Sequence, residues 1–524
     1  MTSSQSRFLA AATALNGGQW SEAWRISSLA LTDFPDHDGL HFVAGVASRH
    51  LGDSERACLH LSHAAQLQPA RADYVAHLAA ALAADHRLPD ALREADRAVS
   101  LGAADRRSLE LLGHIYNQAN AIEQSVAIFQ RAVELFPGDA GLRFHLAEGW
   151  TYLGDNDKAE REYGHCLRLQ PSHWPAYLAR SRLRKQSLDR NHLAEMMLRL
   201  RQAEGDQLAA LYLNTALYKE LEDLGQFSRA FWHLSAGKRA WKTRLGYRSE
   251  QDQAIFNKLQ SFPFDRHATS GCESAEPVFV FGMPRTGTTL VERIISSHGH
   301  VTPVGERNSF LVAMSRQLAM PPGSLSTLLD SLASNPLDWR ALGQHYLEET
   351  RPAQGTMRFL DKLPHNFMYA GFIAKAFPNA RMICLRRDPM DTCLANFSQV
   401  FSLESPNYDY SFDILDTGSY YLMFDALMAH WQRSFPGRIL EVSYEDLVQR
   451  QEETTRMLLE HCGLEWQQAC LEFERNPHAV TTASAVQVRS PIYRSSLQRW
   501  KRYETELEPL RELLGDKVSH RHSH

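Results

Sequence analysis

The chain has 524 residues, of which 44% are hydrophobic and 22% are charged, and its formal net charge is −5. This length exceeds what one hydrophobic core accommodates, so two or more domains are expected. The negative charge argues against a general nucleic-acid-binding protein, which needs a cationic face for phosphates. No apolar stretch reaches the roughly 18 residues of a membrane span, and no basic segment followed by an apolar core begins the chain. We therefore expect a cytoplasmic protein with no nucleic-acid or membrane partner.

The cysteines are odd in number and include no C-x-x-C pair. Neither a disulfide framework nor a zinc site is therefore indicated. Most histidines, including those of SHRHSH at 519–524, are expected to be surface or tail residues rather than ligands. We expect reduced core residues at Cys58, Cys166, Cys272, Cys384, Cys393, Cys462 and Cys470.

Three kinds of residue recur with a period of 34 residues in the N-terminal half. Glycine permits a tight turn between two helices, alanine lets the helices approach closely, and proline ends the second helix. The pattern resembles the tetratricopeptide repeat and predicts an all-α solenoid of five repeats over about residues 8–171. The recurring residues are Gly18, Gly52 and Gly154; Ala23, Ala57, Ala91 and Ala159; and Pro35, Pro69, Pro137 and Pro171.

Two parts of this pattern are irregular. One repeat has Asn120 in place of the glycine, Ser125 in place of the alanine and Ala103 where proline is expected. Farther along, Gly225 and Ala230 restore the glycine-to-alanine offset after a slip in the period. We predict that a sixth, irregular unit caps the stack.

Changes in composition predict the domain boundaries. The proline, glycine and serine content of residues 261–277 is typical of a linker. Beyond it, the apolar runs VFVF, RMICL and RILEV alternate with helical patterns, which predicts an α/β domain whose parallel sheet has helices on both faces. The predicted division is a helical domain over 1–245, a linker over 246–276, the α/β domain over 277–515 and a tail over 516–524.

The segment VFVFGMPRTGTTLVERI, residues 278–294, combines a buried strand, a glycine-bearing loop and an amphipathic helix. Such a loop presents backbone N–H groups and the positive end of a helix dipole to a phosphate-like anion. The nucleotide-triphosphate loop G-x-x-x-x-G-K-[ST] requires a lysine where this chain has Thr288. The sequence therefore argues against a nucleotide kinase, and Arg285 supplies the positive charge instead.

Five motifs in order resemble those of sulfotransferases that use 3′-phosphoadenosine 5′-phosphosulfate. They are PRTGTTL, FLDKLPHNF, RMICLRRDPMDTCLANF, ILEVSYEDLV and TASAVQVRSPIYRSSLQRW. The resemblance covers about residues 277–510 and points to the protein-tyrosine sulfotransferase branch and its bacterial relatives with helical repeats. It implies a P-loop-like sulfotransferase domain and favours a tyrosine of a peptide or protein as acceptor. A glycan or small phenol as acceptor, or a non-catalytic nucleotide-binding scaffold, is the alternative.

The resemblance also implies how the donor binds, without a metal ion. Arg387 would hold the 3′-phosphate, and Tyr444 would lie beside the adenine. Ala395 stands where the family has a serine, so one hydrogen bond to the 3′-phosphate is in question, and Asn396 or Ser398 is a candidate replacement. The residues implied to bind the donor are Arg285, Thr286, Gly287, Thr288, Thr289, Arg387, Tyr444 and Arg499.

The residues to which the resemblance gives a catalytic role are Arg285, Glu306, Lys362 and Ser484. Lys362 would bridge the donor and the transition state, where a cation in place stabilises the developing charge by several kcal/mol. Ser484 aligns with a serine of the same role.

Two residues are candidates for the base that accepts the acceptor's proton. Glu306 belongs to a Gly-Glu pair 17 residues beyond Thr289, as in the tyrosine-protein branch, and is favoured. His365 is the alternative, although the small-molecule branch has its histidine where this chain has Pro364. The concave repeat surface would hold the acceptor, and a homodimer is left open.

Overall fold

The structure is a computed structural model that describes residues 3–264, 271–320, 324–332, 334–352, 355–476, 478, 487–489, 491–492 and 494–518. The chain forms two compact units, residues 1–169 and 170–524. In the described ranges, no helix combines the length and apolar character that crossing a membrane requires. The cysteines are buried, except for the half-buried Cys272.

The first unit consists of antiparallel helix pairs, each packed on the next. The turn of the irregular repeat keeps the same shape as the others, because Asn120 adopts φ 60°, close to φ 80° at Gly52 and φ 87° at Gly154. Ser125 is fully buried and donates a hydrogen bond to the carbonyl of Gly113 at 2.9 Å. The helices are α1 (Ser3–Asn16), α2 (Trp20–Asp33), α3 (Asp38–His50), α4 (Ser54–Leu67), α5 (Ala72–Ala84), α6 (Leu88–Ser100), α7 (Arg106–Gln118), α8 (Ile122–Leu135), α9 (Ala140–Leu153) and α10 (Asn156–Leu169).

The second unit begins with helices α11 (Trp174–Arg182), α12 (Leu193–Gln202), α13 (Gln207–Asp223), α14 (Phe227–Leu245) and α15 (Ser249–Ser261). The predicted boundaries at 245 and 277 stay a prediction. Lys238 on α14 is fully buried and donates to the carbonyls of Gln399, at 2.5 Å, and Ser411, at 3.1 Å. Within the predicted linker, α15 buries Phe256 and Leu259 completely.

The remainder of the second unit is an α/β fold whose parallel sheet has the strand order β2-β3-β1-β4-β5, which confirms the predicted parallel sheet. The strands are β1 (Pro277–Gly282), β2 (Val301–Gly305), β3 (Arg358–Lys362), β4 (Arg381–Arg386) and β5 (Ile439–Ser443). The helices are α16 (Thr288–Ser296), α17 (Ser309–Gln317), α18 (Leu325–Leu332), α19 (Trp339–Thr350), α20 (Ala370–Ala376), α21 (Pro389–Phe397), α22 (Ile414–Ser434), α23 (Tyr444–Gln449), α24 (Gln451–Cys462) and α25 (Glu508–Leu514).

Register in this sheet brings three chain segments together. Val280 of β1 pairs with Lys362 of β3 on one side and with Ile383 of β4 on the other. The carboxyl ends of these neighbouring strands therefore meet at one edge, where ligands bind in parallel sheets. The sequence predicted β1, β4 and β5 but not β2 or β3, because β2 contains a proline and β3 carries charged residues inside the sheet.

Candidate anion-binding and transfer site

A tight turn joins β1 to α16, and two glycines allow it. Gly282 has φ 153°, and a Cβ there would lie 2.5 Å from the carbonyl oxygen of Leu385 on β4. Gly287 has φ 108°, and its Cβ would lie 2.6 Å from the ring of Tyr444. Both positions therefore exclude side chains, the second so that the Tyr444 ring can approach the loop.

The loop between these glycines presents groups suited to an anion. Arg285 has φ 66°, a left-handed conformation that residues other than glycine rarely adopt. The Thr286 hydroxyl donates to the carbonyl of Met283 at 2.7 Å and fixes the turn. Thr288 and Thr289 open α16, whose N-cap glycine has no side chain to cap the first N–H groups. The first turn of this helix can therefore donate to a bound anion.

Arg387 lies just beyond β4 and contacts this loop. Its Nη1 donates to the carbonyl of Arg285 at 3.1 Å, and its Nη2 donates to the carbonyl of Ser496 at 2.6 Å and lies 3.7 Å from Asp391 Oδ2. The guanidinium carbon stands 4.8 Å from the centroid of the Tyr444 ring. The structure thus brings together Arg285, Arg387 and Tyr444, three residues that the sequence assigned to the donor.

Asn396 has a structural partner that the sequence did not predict. Its amide donates to the carbonyl of Pro284 in the loop at 2.7 Å, and its Oδ1 accepts from the Tyr410 hydroxyl at 2.9 Å. The Ser398 hydroxyl donates to the carbonyl of Ala395 at 3.2 Å. Asn396 therefore holds the anion loop in place. Its amide, a candidate to replace the family's serine at the 3′-phosphate, already donates to this loop.

Lys362, at the end of β3, is fully buried between two carboxylates. Its Nζ donates to Glu306 Oε1 and lies 3.5 Å from Glu292 Oε2. Burial lowers the pKa of Lys362, but the two glutamates outweigh it, and the pKa lies above its ordinary value. Burial also raises the pKa of Glu292. The ammonium therefore stays charged inside the protein, and Glu292 is a site residue that the sequence missed.

Asp361, the residue before Lys362, is a second buried group that the sequence did not single out. It accepts hydrogen bonds from the Tyr346 hydroxyl at 2.8 Å and from the Asn366 amide at 3.0 Å. Burial outweighs these bonds and raises the pKa of Asp361 to about 7. The carboxyl anchors the strand end from the side opposite the lysine.

The two candidate bases are neighbours. His365 is 6% exposed. Burial lowers its pKa to about 4, although the nearby negative charge of Glu306 raises this pKa. The imidazole is therefore neutral near pH 7. Its Nε2 is buried and has no hydrogen-bond partner in the described ranges, and the Tyr408 ring stands edge-on at 5.0 Å. The Glu306 side chain is 38% exposed.

Arg499, which was predicted to bind the donor, contacts a different element. The Arg499 guanidinium donates to Glu222 Oε1 and to the Tyr218 hydroxyl, both at 2.6 Å, so α13 of the helical segment holds it. Ser484 lies outside the described residues. The assigned role of each stays a prediction.

Arg182, the last residue of α11, is a cation near the loop that no motif indicated. Burial and then the charge of Arg285 lower its pKa to about 10. Across the described part of the chain it makes no hydrogen bond or ion pair. Because Arg182 and Arg285 are far apart in sequence, no spacing rule could have linked them.

Comparison with known proteins identifies both parts of the chain. Residues 277–468 match the sequence model of the sulfotransferase family, and residues 107–139 match that of the tetratricopeptide repeat. The chain therefore carries a sulfotransferase domain after a tetratricopeptide-repeat region, as predicted. The repeat match falls on the irregular repeat.

Individual relatives are distant. The chain is 29% identical over 423 residues to an uncharacterized protein of Aquifex aeolicus (strain VF5), covering 78% of this chain and 54% of that protein. It is 23% identical over 234 residues to protein-tyrosine sulfotransferase 2 of Gallus gallus, covering 43% and 62%. The chain thus spans little more than half the length of these curated relatives. A solved sulfotransferase domain of the Synechococcus PCC 7002 olefin synthase is 18% identical, covers 44% of this chain and 88% of that chain, and has a TM-score of 0.31.

Proposed function

We propose that this protein transfers a sulfuryl group from 3′-phosphoadenosine 5′-phosphosulfate to the hydroxyl group of a tyrosine in a peptide or protein. The observation that carries the proposal is the buried ammonium of Lys362, which stands between Glu292 and Glu306 at the sheet edge where the anion loop begins. A fully buried cation beside an anion loop suits a reaction in which negative charge develops on a transferred group.

The donor would bind through the loop and through Arg387. Its 5′-phosphosulfate would accept from the first N–H groups of α16, and Arg285 would add a positive charge. The 3′-phosphate would bind Arg387, because its guanidinium contacts the anion loop at the Arg285 carbonyl and can form charged hydrogen bonds to a phosphate. The adenine would lie against Tyr444, a role that follows from the resemblance.

In the transfer, the acceptor oxygen forms a bond to sulfur while the bond from sulfur to the bridging oxygen of the donor breaks. The products are a sulfate ester and 3′-phosphoadenosine 5′-phosphate, and the acceptor's proton goes to the base. Lys362 would stabilise the charge that develops on the bridging oxygen and on the transferred group. Positioning and electrostatics supply most of the rate in the related transfer of phosphoryl groups.

Glu306 is the proposed base. Its carboxylate is more accessible than the His365 ring, so an incoming hydroxyl can reach it. With its pKa lowered to about 4, His365 is no stronger a base than a carboxylate. The ion pair with Lys362 orients Glu306. The same ion pair holds the base that removes the acceptor's proton beside the cation that compensates the developing charge.

A polypeptide acceptor is supported by the similarity to protein-tyrosine sulfotransferase 2 and by the repeat region. Tetratricopeptide repeats stack into an extended concave surface, which suits an extended peptide. In this proposal, the repeats recruit the acceptor and the α/β region carries out the transfer.

The test is to incubate the whole chain with the donor and a mixture of tyrosine-containing peptides, a glycan and a small phenol. We expect release of 3′-phosphoadenosine 5′-phosphate and gain of one SO3 group on tyrosine, both measured by mass spectrometry. Gain of SO3 on the glycan or phenol alone would overturn the acceptor. Absence of both donor binding and nucleotide release would overturn the reaction itself.

A further inference from the structure

A cluster of potential metal ligands lies on helices α7 and α9 of the first unit. Glu110 and His114 are one helical turn apart on α7, and His145 comes from α9. One ligand atom from each residue lies within 4.8 Å of the other two. The two imidazole rings meet edge to face with their centroids 4.5 Å apart. Three potential ligands therefore converge from two neighbouring repeats.

Two of these residues have electron pairs available. Arg106, at 3.2 Å, and Arg107, at 2.8 Å, both donate to Oε2 of Glu110. The other carboxylate oxygen of Glu110 and both ring nitrogens of His114 make no hydrogen bond with any residue that the structure describes.

His145 is oriented as a metal-binding histidine is. Its Nδ1 donates to Oε2 of Glu148 at 3.0 Å, which leaves Nε2 as the nitrogen for a ligand. A carboxylate on the second ring nitrogen is the usual companion of a metal-bound histidine, because it fixes the tautomer and makes the ring a better donor. This contact is independent of the convergence of the three ligands.

We propose that Glu110, His114 and His145 form a Zn²⁺ site, with Glu148 as the residue that positions His145. Two imidazoles and one carboxylate suit zinc, and three protein ligands leave a fourth tetrahedral position for water or for a bound molecule. Ligand atoms around tetrahedral zinc are about 3.3 Å apart, so small side-chain rotations would complete the site. The site lies in the repeats and has no part in the transfer reaction.

The test uses the full chain in which His520, His522 and His524 are replaced by alanine, so that this histidine-rich segment does not bind the metal. Zinc affinity is measured by competition with a chromophoric chelator. We expect one tight equivalent, which His114→Ala and His145→Ala each abolish and which Glu148→Gln weakens about 10- to 100-fold. The matched control is His50→Ala, an exposed histidine of the same unit, which should bind as the parent does.

Melting curves recorded with excess chelator show whether each variant folds as the parent does. The proposal is overturned if the parent binds no zinc at micromolar concentrations. It is also overturned if the folded His114→Ala and His145→Ala variants bind zinc as tightly as His50→Ala.

Discussion

The repeat unit and the transfer site are built over different sequence distances. In the irregular repeat, the turn at Asn120 and the buried Ser125 lie within one helix-turn-helix and keep the shape of the others despite their substitutions. In the transfer site, Lys362 contacts a residue 56 positions away in Glu306, and Arg387 contacts one 102 positions away in Arg285. Local geometry therefore tolerates substitution, whereas the site depends on contacts that only the sheet provides. Five predictions test this contrast, beginning with the largest expected effect.

The strongest test of the long-range site is Asp361→Asn. Burial raises the pKa of Asp361 to about 7 in the folded protein. Because this pKa is higher folded than unfolded, the free energy of unfolding should fall as pH rises from about 4 to about 7, by about 4 kcal/mol in total. Asparagine cannot ionise, so the variant should lack this loss. Urea denaturation at about pH 4 and about pH 8 measures it; the same pH dependence in both proteins would contradict the buried-carboxyl assignment.

Lys362→Ala should reduce turnover by about 10²- to 10³-fold, since it removes a preorganised charge from the transition state. It should also weaken donor binding, because the same ammonium faces the donor. Single-turnover kinetics with the labelled donor separates the two effects. Unchanged turnover in a variant that still folds would remove the lysine from the mechanism.

Glu306→Gln should cut turnover by roughly 10²-fold while leaving donor affinity near that of the parent, because glutamine keeps the size but cannot accept a proton. His365→Ala is the paired variant and should cost far less. Steady-state assays and donor titrations on both proteins decide between the bases. A nearly normal Glu306→Gln enzyme beside an inactive His365→Ala enzyme would reverse the assignment.

Arg387→Ala should weaken binding of 3′-phosphoadenosine 5′-phosphate by about 1.5 to 3 kcal/mol, the range for a charged hydrogen bond. Adenosine 5′-monophosphate, which lacks the 3′-phosphate, should bind both proteins alike. Calorimetric titration measures the difference. Ala395→Ser, which restores the family's serine, should strengthen binding of the 3′-phosphate compound only; equal preference for the two nucleotides in the parent would refute the 3′-phosphate site.

The smallest effect is expected in the repeats. Asn120→Ala should cost about 1 kcal/mol of stability, because alanine tolerates a left-handed backbone less well than asparagine does. Asn120→Gly, which restores the usual turn residue, should be nearly neutral. Thermal melting measures both, and donor affinity should be unchanged. A loss of donor affinity in Asn120→Ala would show that the stability of this repeat is coupled to donor binding.

The sequence by itself determined the features that depend on neighbouring residues. The period of 34 residues predicted the helical repeats, and the glycines of the loop predicted the turn between β1 and α16. The family motifs placed Arg285, Arg387 and Tyr444, which the structure brings together. Helix pairs and tight turns can be predicted in this way because their geometry is set within a few residues.

Only the tertiary structure decided which distant groups meet. Glu292 lies beside Lys362, and Arg182 lies near Arg285. Arg499 contacts Glu222, and His114 and His145 come together from separate repeats. The tertiary structure also grouped helices α11 to α15 with the second compact unit. Strand register and helix packing fix these contacts, and neither a residue's own type nor its spacing along the chain specifies the side chain across from it.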